Sequence, residues 1–236
     1  VELTLASYNI HKGVGTDRRR DPERILAVLK ETGAEVAALQ ECDRRLGPRE
    51  TVLPRHLVEE AGWQIATVAR RPASMGWHGN AVLVARGSRL QVEHARPLEL
   101  PTLEPRGAVH VRLACDDAMP LDLFGVHLDL SGFRRRAQLR ALLAIIADRK
   151  AAGPAVMLGD FNQWSRLRGA MRAFPDEWSQ CDPGPSFPSR RPIARLDRIV
   201  VSGGIDIRSA HAHHSALSVR ASDHLPIVAR IALPKK

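Results

Sequence analysis

Two short segments, Gly159-Asp160-Phe161-Asn162 and Ser222-Asp223-His224-Leu225-Pro226, bring carboxylate, amide and imidazole groups to the ends of apolar runs. Side chains of these types suit hydrolysis assisted by a hard metal ion: carboxylates hold the cation, and an imidazole moves protons near neutral pH. The first segment follows a continuous apolar run at 154–158. That is the length of a buried strand, so Asp160 and Asn162 emerge at its carboxyl end, where open α/β sheets place their chemistry. Two positions apart, they point the same way if strand alternation continues through them. The second segment precedes a strand pattern at 227–231, which puts Asp223 and His224 at a strand mouth, with Pro226 where an edge tolerates it.

Three more polar residues end apolar runs upstream. Asn9 closes 3–8, Glu41 closes 36–40 and His127 closes 121–126. Asp197 stands inside the run 194–201, where a buried acid is costly without a partner, and His224 is a candidate for that partner. Taken singly, a strand-end Asn or Asp is usually a turn or cap residue, and a lone histidine is more often a satisfied polar group than a catalyst.

The elements that must position these residues alternate in type. Asp21-Pro22-Glu23 before Ile25, Leu26, Val28 and Leu29 predicts an N-capped helix that ends at Gly33. A second helix is predicted over 134–150, with Leu139, Leu142, Leu143, Ile145 and Ile146 forming its apolar stripe. Strand patterns at 81–85, 90–95, 108–114 and 205–210 lack intervening helices, so no sheet is wholly parallel. A single domain over 1–236 is expected, because the richest Pro/Gly/Ser stretch, 182–192, is short enough to be a surface loop.

The chain carries a formal charge of +9, which favours anionic partners such as nucleic acid or acidic lipid surfaces. Only five of its 35 basic residues are lysine, so an arginine-rich composition accounts for the charge equally well. Arg18-Arg19-Arg20 and Arg134-Arg135-Arg136 follow the Asn9 and His127 strands and flank the same mouth; most members of each triplet read as solvated. Aromatic content of 4% is thin for gripping single strands by stacking. Trp77, Trp164 and His78 lie near the candidate loops, with core or loop roles favoured. The trio His211, His213 and His214 has no acid or thiol nearby in sequence and reads as an exposed patch. Cys42, Cys115 and Cys181 are scattered and odd in number, which suits reduced, buried thiols and a cytoplasmic setting. There is no transmembrane run.

The order Tyr8-Asn9-Ile10, Leu39-Gln40-Glu41, Gly125-Val126-His127-Leu128, Gly159-Asp160-Phe161-Asn162, Leu196-Asp197-Arg198-Ile199 and Ser222-Asp223-His224-Leu225-Pro226 resembles the endonuclease/exonuclease/phosphatase superfamily. One such string is weak; six in order, from residue 4 to about residue 230, are specific. The resemblance implies an α/β (α+β) four-layer sandwich: two mixed, mainly antiparallel sheets packed face to face with helices on the outside. It also implies phosphoester hydrolysis with Mg2+ or Mn2+. Since the superfamily spans nucleases, sphingomyelinases and inositol phosphatases, it settles reaction type better than substrate.

On this resemblance Glu41 is the main metal ligand, with Asn9 beside it and Asp223 binding directly or through water. The catalytic set is His127, Asp160, Asn162, Asp197 and His224. Asp197 would fix the His224 tautomer, either Asp160 or His224 would take the proton from water, Asn162 would hold a phosphate oxygen or the water, and His127 would stabilise the transition state or protonate the leaving group. Arg106, His11 and Lys12 are candidate substrate contacts. Two departures argue against an abasic-site endonuclease: His11 stands where those enzymes usually carry an acid, and His127-Leu128-Asp129-Leu130 replaces a tyrosine with a following Pro-Asn. A phosphodiester substrate is expected, nucleic acid ahead of phospholipid head groups. The alternatives are a phospholipid phosphodiesterase, an inositol or sugar phosphatase, and a nucleic-acid-binding module without turnover.

Overall fold

A computed structural model describes residues 1–44, 47–68, 71–102, 106–149, 153–165 and 167–236. Two six-stranded sheets face each other. The first contains β1 (Glu2–Asn9), β2 (Val36–Gln40), β3 (Trp63–Ile65), β4 (Ala81–Ala85), β11 (Asp206–Ala212) and β12 (Ile227–Ala232), in the order β11-β12-β1-β2-β4-β3. The second contains β5 (Gln91–Glu99), β6 (Gly107–Cys115), β7 (Ala118–His127), β8 (Ala155–Asp160), β9 (Ser179–Gln180) and β10 (Asp197–Ser202), in the order β5-β6-β7-β8-β10-β9. β1–β2 and β7–β8 are parallel and the remaining pairs antiparallel. Each parallel pair needs a crossover, supplied by α1 (Pro22–Thr32) and α3 (Gly132–Ala147).

Period-two alternation sorts the strands into layers. Leu3, Leu5, Val36 and Ala38 of the first sheet meet Leu121, Leu123, Val156, Leu158, Ile199 and Val201 of the second in the central core. The opposite face of the first sheet, with Ala6, Tyr8, Ala37 and Leu39, packs on Ile25, Leu26, Val28 and Leu29 of α1. Phe124, Val126 and Met157 on the outer face of the second sheet pack on Leu139, Leu142 and Ile146 of α3. The result is helix, sheet, sheet, helix, as the resemblance implies. At Gly125 the two sheets approach closely: a Cβ there would stand 3.4 Å from side-chain atoms of both Ala38 and Val82.

The first helix has the predicted limits because its caps are written locally. The Asp21 side chain accepts from the Arg24 N–H, Pro22 opens the helix, and Gly33 ends it in the left-handed conformation at φ 62°. The second runs 132–147 rather than 134–150; residue 150 lies outside the described residues. Two short elements, α2 (Arg55–Glu60) and β3, were not foreseen, since neither is long enough to show a period. The fourth helix, α4 (Ser218–Ala221), is a single turn.

Where α3 leaves the outer face of the second sheet, a charged network takes over. Buried Asp122 accepts from Arg112 Nη1 at 2.9 Å and Arg149 Nη1 at 2.5 Å, and pairs with His110 Nε2 at 2.7 Å. Arg96 Nε donates to His110 Nδ1 at 3.2 Å, so the neutral ring donates from Nε2 to Asp122. Burial raises the Asp122 carboxyl, but the His110 hydrogen bond and the arginines outweigh it and hold the group below its ordinary range. A carboxyl lowered on folding stabilises the protein above its unfolded value, and that contribution disappears as pH falls through the folded value. Asp122→Ala strands these cations and is expected to cost about 3–5 kcal/mol. Urea midpoints of parent and variant should converge as pH drops below 4; an unchanged midpoint at neutral pH would remove the network from the stability account.

Candidate active site

The catalytic candidates share a row because strand register puts them there. His127 at the end of β7 is paired with Asp160 at the end of parallel β8, and Asp160 is paired across the antiparallel ladder with Asp197 at the start of β10. All three have the parity of residues that face the central core, as does Asn9 at the end of β1. The site therefore lies where the hydrophobic interlayer ends and the sandwich opens. Gly159 permits the close approach of β8 to β7, since a Cβ there would stand 1.9 Å from the Val126 carbonyl oxygen.

Asp160 is the hub. Its Oδ2 accepts from Asn9 Nδ2 at 3.1 Å and lies 3.5 Å from His127 Nε2 and 3.9 Å from His224 Nε2, while Oδ1 accepts from the Asn162 N–H at 2.8 Å. His224 turns its Nδ1 to Asp197 Oδ2 at 2.9 Å. The Ser186 hydroxyl also donates to Asp197 Oδ2, and the Phe187 ring lies 4.8 Å from the imidazole. Burial and the charge of Asp197 push the Asp160 carboxyl up, opposed by His224 and by the donors on its oxygens. For His224, burial acts downward, but Asp197, then Asp160 and Asp223, raise the imidazole. One buried proton-holding pair is thus braced by a third, carboxylate side chain.

On the facing sheet, Asn9 is paired with Gln40 across the parallel β1–β2 ladder, and Glu41 is the next residue after it. Glu41 accepts a hydrogen bond from the Lys12 ammonium. Burial raises the Glu41 carboxyl, yet that bond and the charges of His127, Lys12 and His11 hold it at about 2. His11 Nδ1 lies 3.0 Å from the Val14 carbonyl oxygen and 3.8 Å from Asp223 Oδ1. The Ser222 hydroxyl donates to the Asn9 carbonyl oxygen at 2.7 Å, tying the Asp223-His224 segment to the end of β1.

Arg106 and Asn162 meet at one atom. Arg106 Nη1 and Asn162 Nδ2 each donate to the Leu128 carbonyl oxygen at 2.9 Å. Arg106 is buried and braces this loop. Asn162 lies past the end of β8 with φ 50°, so strand alternation does not reach it; its aim comes from the two hydrogen bonds on its backbone and amide. His11, Lys12 and Glu41 are also left-handed, at φ 45°, 57° and 58°. Non-glycine residues held there carry strain of about 1–3 kcal/mol each, which the surrounding contacts must overcome.

Several residues here gave no signal in the sequence. Ser186 and Phe187 belong to the loop 182–192, and their place beside Asp197 and His224 depends on how that loop returns to β10. His213 pairs with Glu31 of α1 at 2.9 Å, an acid remote in sequence, whereas His211 and His214 are exposed. Trp77 packs against the central core, and His78 Nδ1 lies 2.9 Å from Arg49 Nη1. All three cysteines are buried and unpaired, and burial pushes the Cys181 thiol up to about 12.

Among the described residues, two groups of side chains could hold a cation. Asp160, Asp197 and His224 each offer a ligand atom within 4.8 Å of the others, but His224 Nδ1 and Asp197 Oδ2 already hold each other. Glu41, one residue past the ladder partner of Asn9, offers carboxylate oxygens of the kind that hard divalent ions take. Lys12 already supplies Glu41 with a positive charge, the electrostatic service a bound cation would provide. Carboxylate and amide oxygens are the donor chemistry of a hard divalent cation site.

The model of the endonuclease/exonuclease/phosphatase family matches residues 6–224, and the chain belongs to that family. Among solved structures, a family protein from Bacteroides vulgatus aligns with a TM-score of 0.77 at 15% identity, covering 99% of each chain. A mannosyl-6-phosphatase from Bacteroides thetaiotaomicron aligns with a TM-score of 0.74 at 17% identity, covering 98% of this chain and 100% of the other. A D. rerio TDP2 humanized by 14 mutations aligns with a TM-score of 0.73 at 16% identity, over 98% and 99% of the two chains. No curated protein matches the sequence. At these identities the likeness is one of fold, and the family's general chemistry is hydrolysis of phosphoesters with divalent metals.

Proposed function

We propose that the chain is one catalytic domain, residues 1–236, that hydrolyses phosphodiesters with Mg2+ or Mn2+. The observation that carries this reading is the Asp160 carboxylate with Asn9, His127 and His224 gathered around a single oxygen. Glu41, with Asn9 and Asp223, would hold the ion. When bound, it neutralises phosphate charge and makes water more acidic.

The remaining work falls to the chain itself. Asp197 holds His224 by Nδ1, so the imidazole presents Nε2 toward Asp160. Asp160 and His224 together take the proton of the attacking water. Asn162 orients that water or a phosphate oxygen, His127 delivers a proton to the leaving oxygen, and His11, Lys12 and Arg106 bind or support binding of the substrate's negative charge. Arg18-Arg19-Arg20 after the Asn9 strand and Arg134-Arg135-Arg136 at the start of α3 would supply guanidinium groups for a phosphodiester of nucleic acid or of a lipid head group.

A soluble chromogenic phosphodiester, assayed with Mg2+, with Mn2+ and with chelator, tests the proposal. Turnover that appears with either ion and vanishes with chelator is expected. Hydrolysis absent with every divalent ion, while DNA binding persists with a steep salt slope, would leave a binding module in its place.

A further inference from the structure

Among the described residues, the large apolar side chains most open to solvent are Leu130, Phe133, Trp164, Leu167 and Ile193, at 67%, 83%, 64%, 75% and 67% exposure. Single exposed apolar residues are ordinary on a soluble surface. These five are not scattered. Leu130 and Phe133 follow His127 into the start of α3, Trp164 and Leu167 follow Asn162, and Ile193 precedes Asp197.

Two of these loops meet directly, and the third is joined to the site through Phe187. Asn162 Nδ2 reaches the Leu128 carbonyl, and Arg198 Nη2 donates to the Gln163 carbonyl at 2.8 Å. The Ile193 N–H donates to the carbonyl of Phe187, whose ring lies against His224. Exposed arginines stand beside the apolar residues in sequence: Arg136 near Phe133, Arg168 next to Leu167, and Arg190 and Arg191 just before Ile193. Arg190 Nη2 also donates to the Thr16 carbonyl at 3.2 Å, joining this rim to the basic loop 18–20.

Apolar side chains interleaved with guanidinium groups match the boundary of an anionic bilayer. There the former enter the edge of the acyl layer and the latter meet head-group phosphates. Nucleic acid accounts for the arginines but not for Leu130, Leu167 and Ile193, which have no flat face on which a base can stack. A soluble phosphosugar leaves the apolar rim without a use.

We propose that the mouth of the site docks on an anionic phospholipid surface, with Phe133, Trp164 and Leu167 entering the head-group boundary. The docking stands on the rim; that the mouth is an active site rests on the phosphoesterase reading above.

The test is flotation of the full chain, in chelator, with vesicles of phosphatidylcholine and of phosphatidylcholine with added phosphatidylglycerol. Partition into the anionic vesicles is expected, weakened by salt, with a blue shift of tryptophan emission that Trp164→Phe abolishes. The double variant Phe133→Ser, Leu167→Ser should keep the parent's thermal midpoint and partition about tenfold or more weakly, since each change removes an apolar side chain from the boundary. No partition of the parent, or equal partition of parent and double variant, overturns the proposal. So does loss of single-stranded oligonucleotide binding in the double variant with vesicle binding untouched. Vesicle binding as expected without metal-dependent cleavage of the soluble diester refutes the phosphoesterase reading and leaves docking in place; cleavage without vesicle binding does the reverse.

Discussion

His224→Gln is expected to lower the turnover of a soluble phosphodiester by roughly 10²–10⁴-fold, the usual worth of a positioned acid or base. Glutamine keeps a hydrogen-bonding group against Asp197 in a pocket that His224 already fills, so the fold should survive the change. What is lost is the second ring nitrogen, which faces Asp160. Asp197→Asn should lose rate in the same range for a different reason: an amide in that place no longer stabilises a charged ring or dictates which nitrogen carries the proton. Circular dichroism and thermal midpoints separate these losses from unfolding. A His224→Gln protein within threefold of the parental rate would take His224 out of the chemistry.

Glu41→Ala should weaken Mn2+ binding by roughly 10²-fold or more and lower the rate with it, because even outer partners of metal ligands are commonly worth 10–100-fold. Asp197→Ala should lose rate with Mn2+ affinity largely kept. The contrast follows from geometry, since Asp197 is engaged with His224 and Ser186 whereas Glu41 is paired with Lys12 in the turn that follows β1. Glu41→Gln, which keeps the side chain's shape beside Lys12, checks that the loss comes from the charge. Calorimetric titration of metal-stripped protein reads both affinities. The same Mn2+ affinity in the Glu41 variants and the parent would refute this division of roles.

What could be read from the sequence was whatever local chemistry writes down. The Asp21-Pro22 start and Gly33 stop of α1 are cap signals, and β2 and β4 have the limits that their apolar runs predict. The order of layers followed from the resemblance. Hidden from it was everything set by register. Asp197 looked like an acid inside a strand; β10 in fact begins there, and only its pairing with β8 shows that Asp197 and Asp160 are neighbours. Asn162 looked like the next outward residue of a strand, but a left-handed turn intervenes. The link between Lys12 and Glu41 depends on a turn in which His11, Lys12 and Gly13 are all left-handed, and side chains other than glycine rarely adopt that conformation. β5 extends through Pro97, which a central strand would not tolerate and this edge strand does.

A double-mutant cycle on Asp160 and His224 tests most directly whether these side chains work as one device. Asp160→Asn, His224→Gln and the combined variant would each be assayed on the soluble phosphodiester at saturating Mn2+. Residues that act as a unit lose their function together, so the combined variant should be no slower than the worse of the two single variants. Losses that multiply would mean that the two side chains act independently, and would contradict the account.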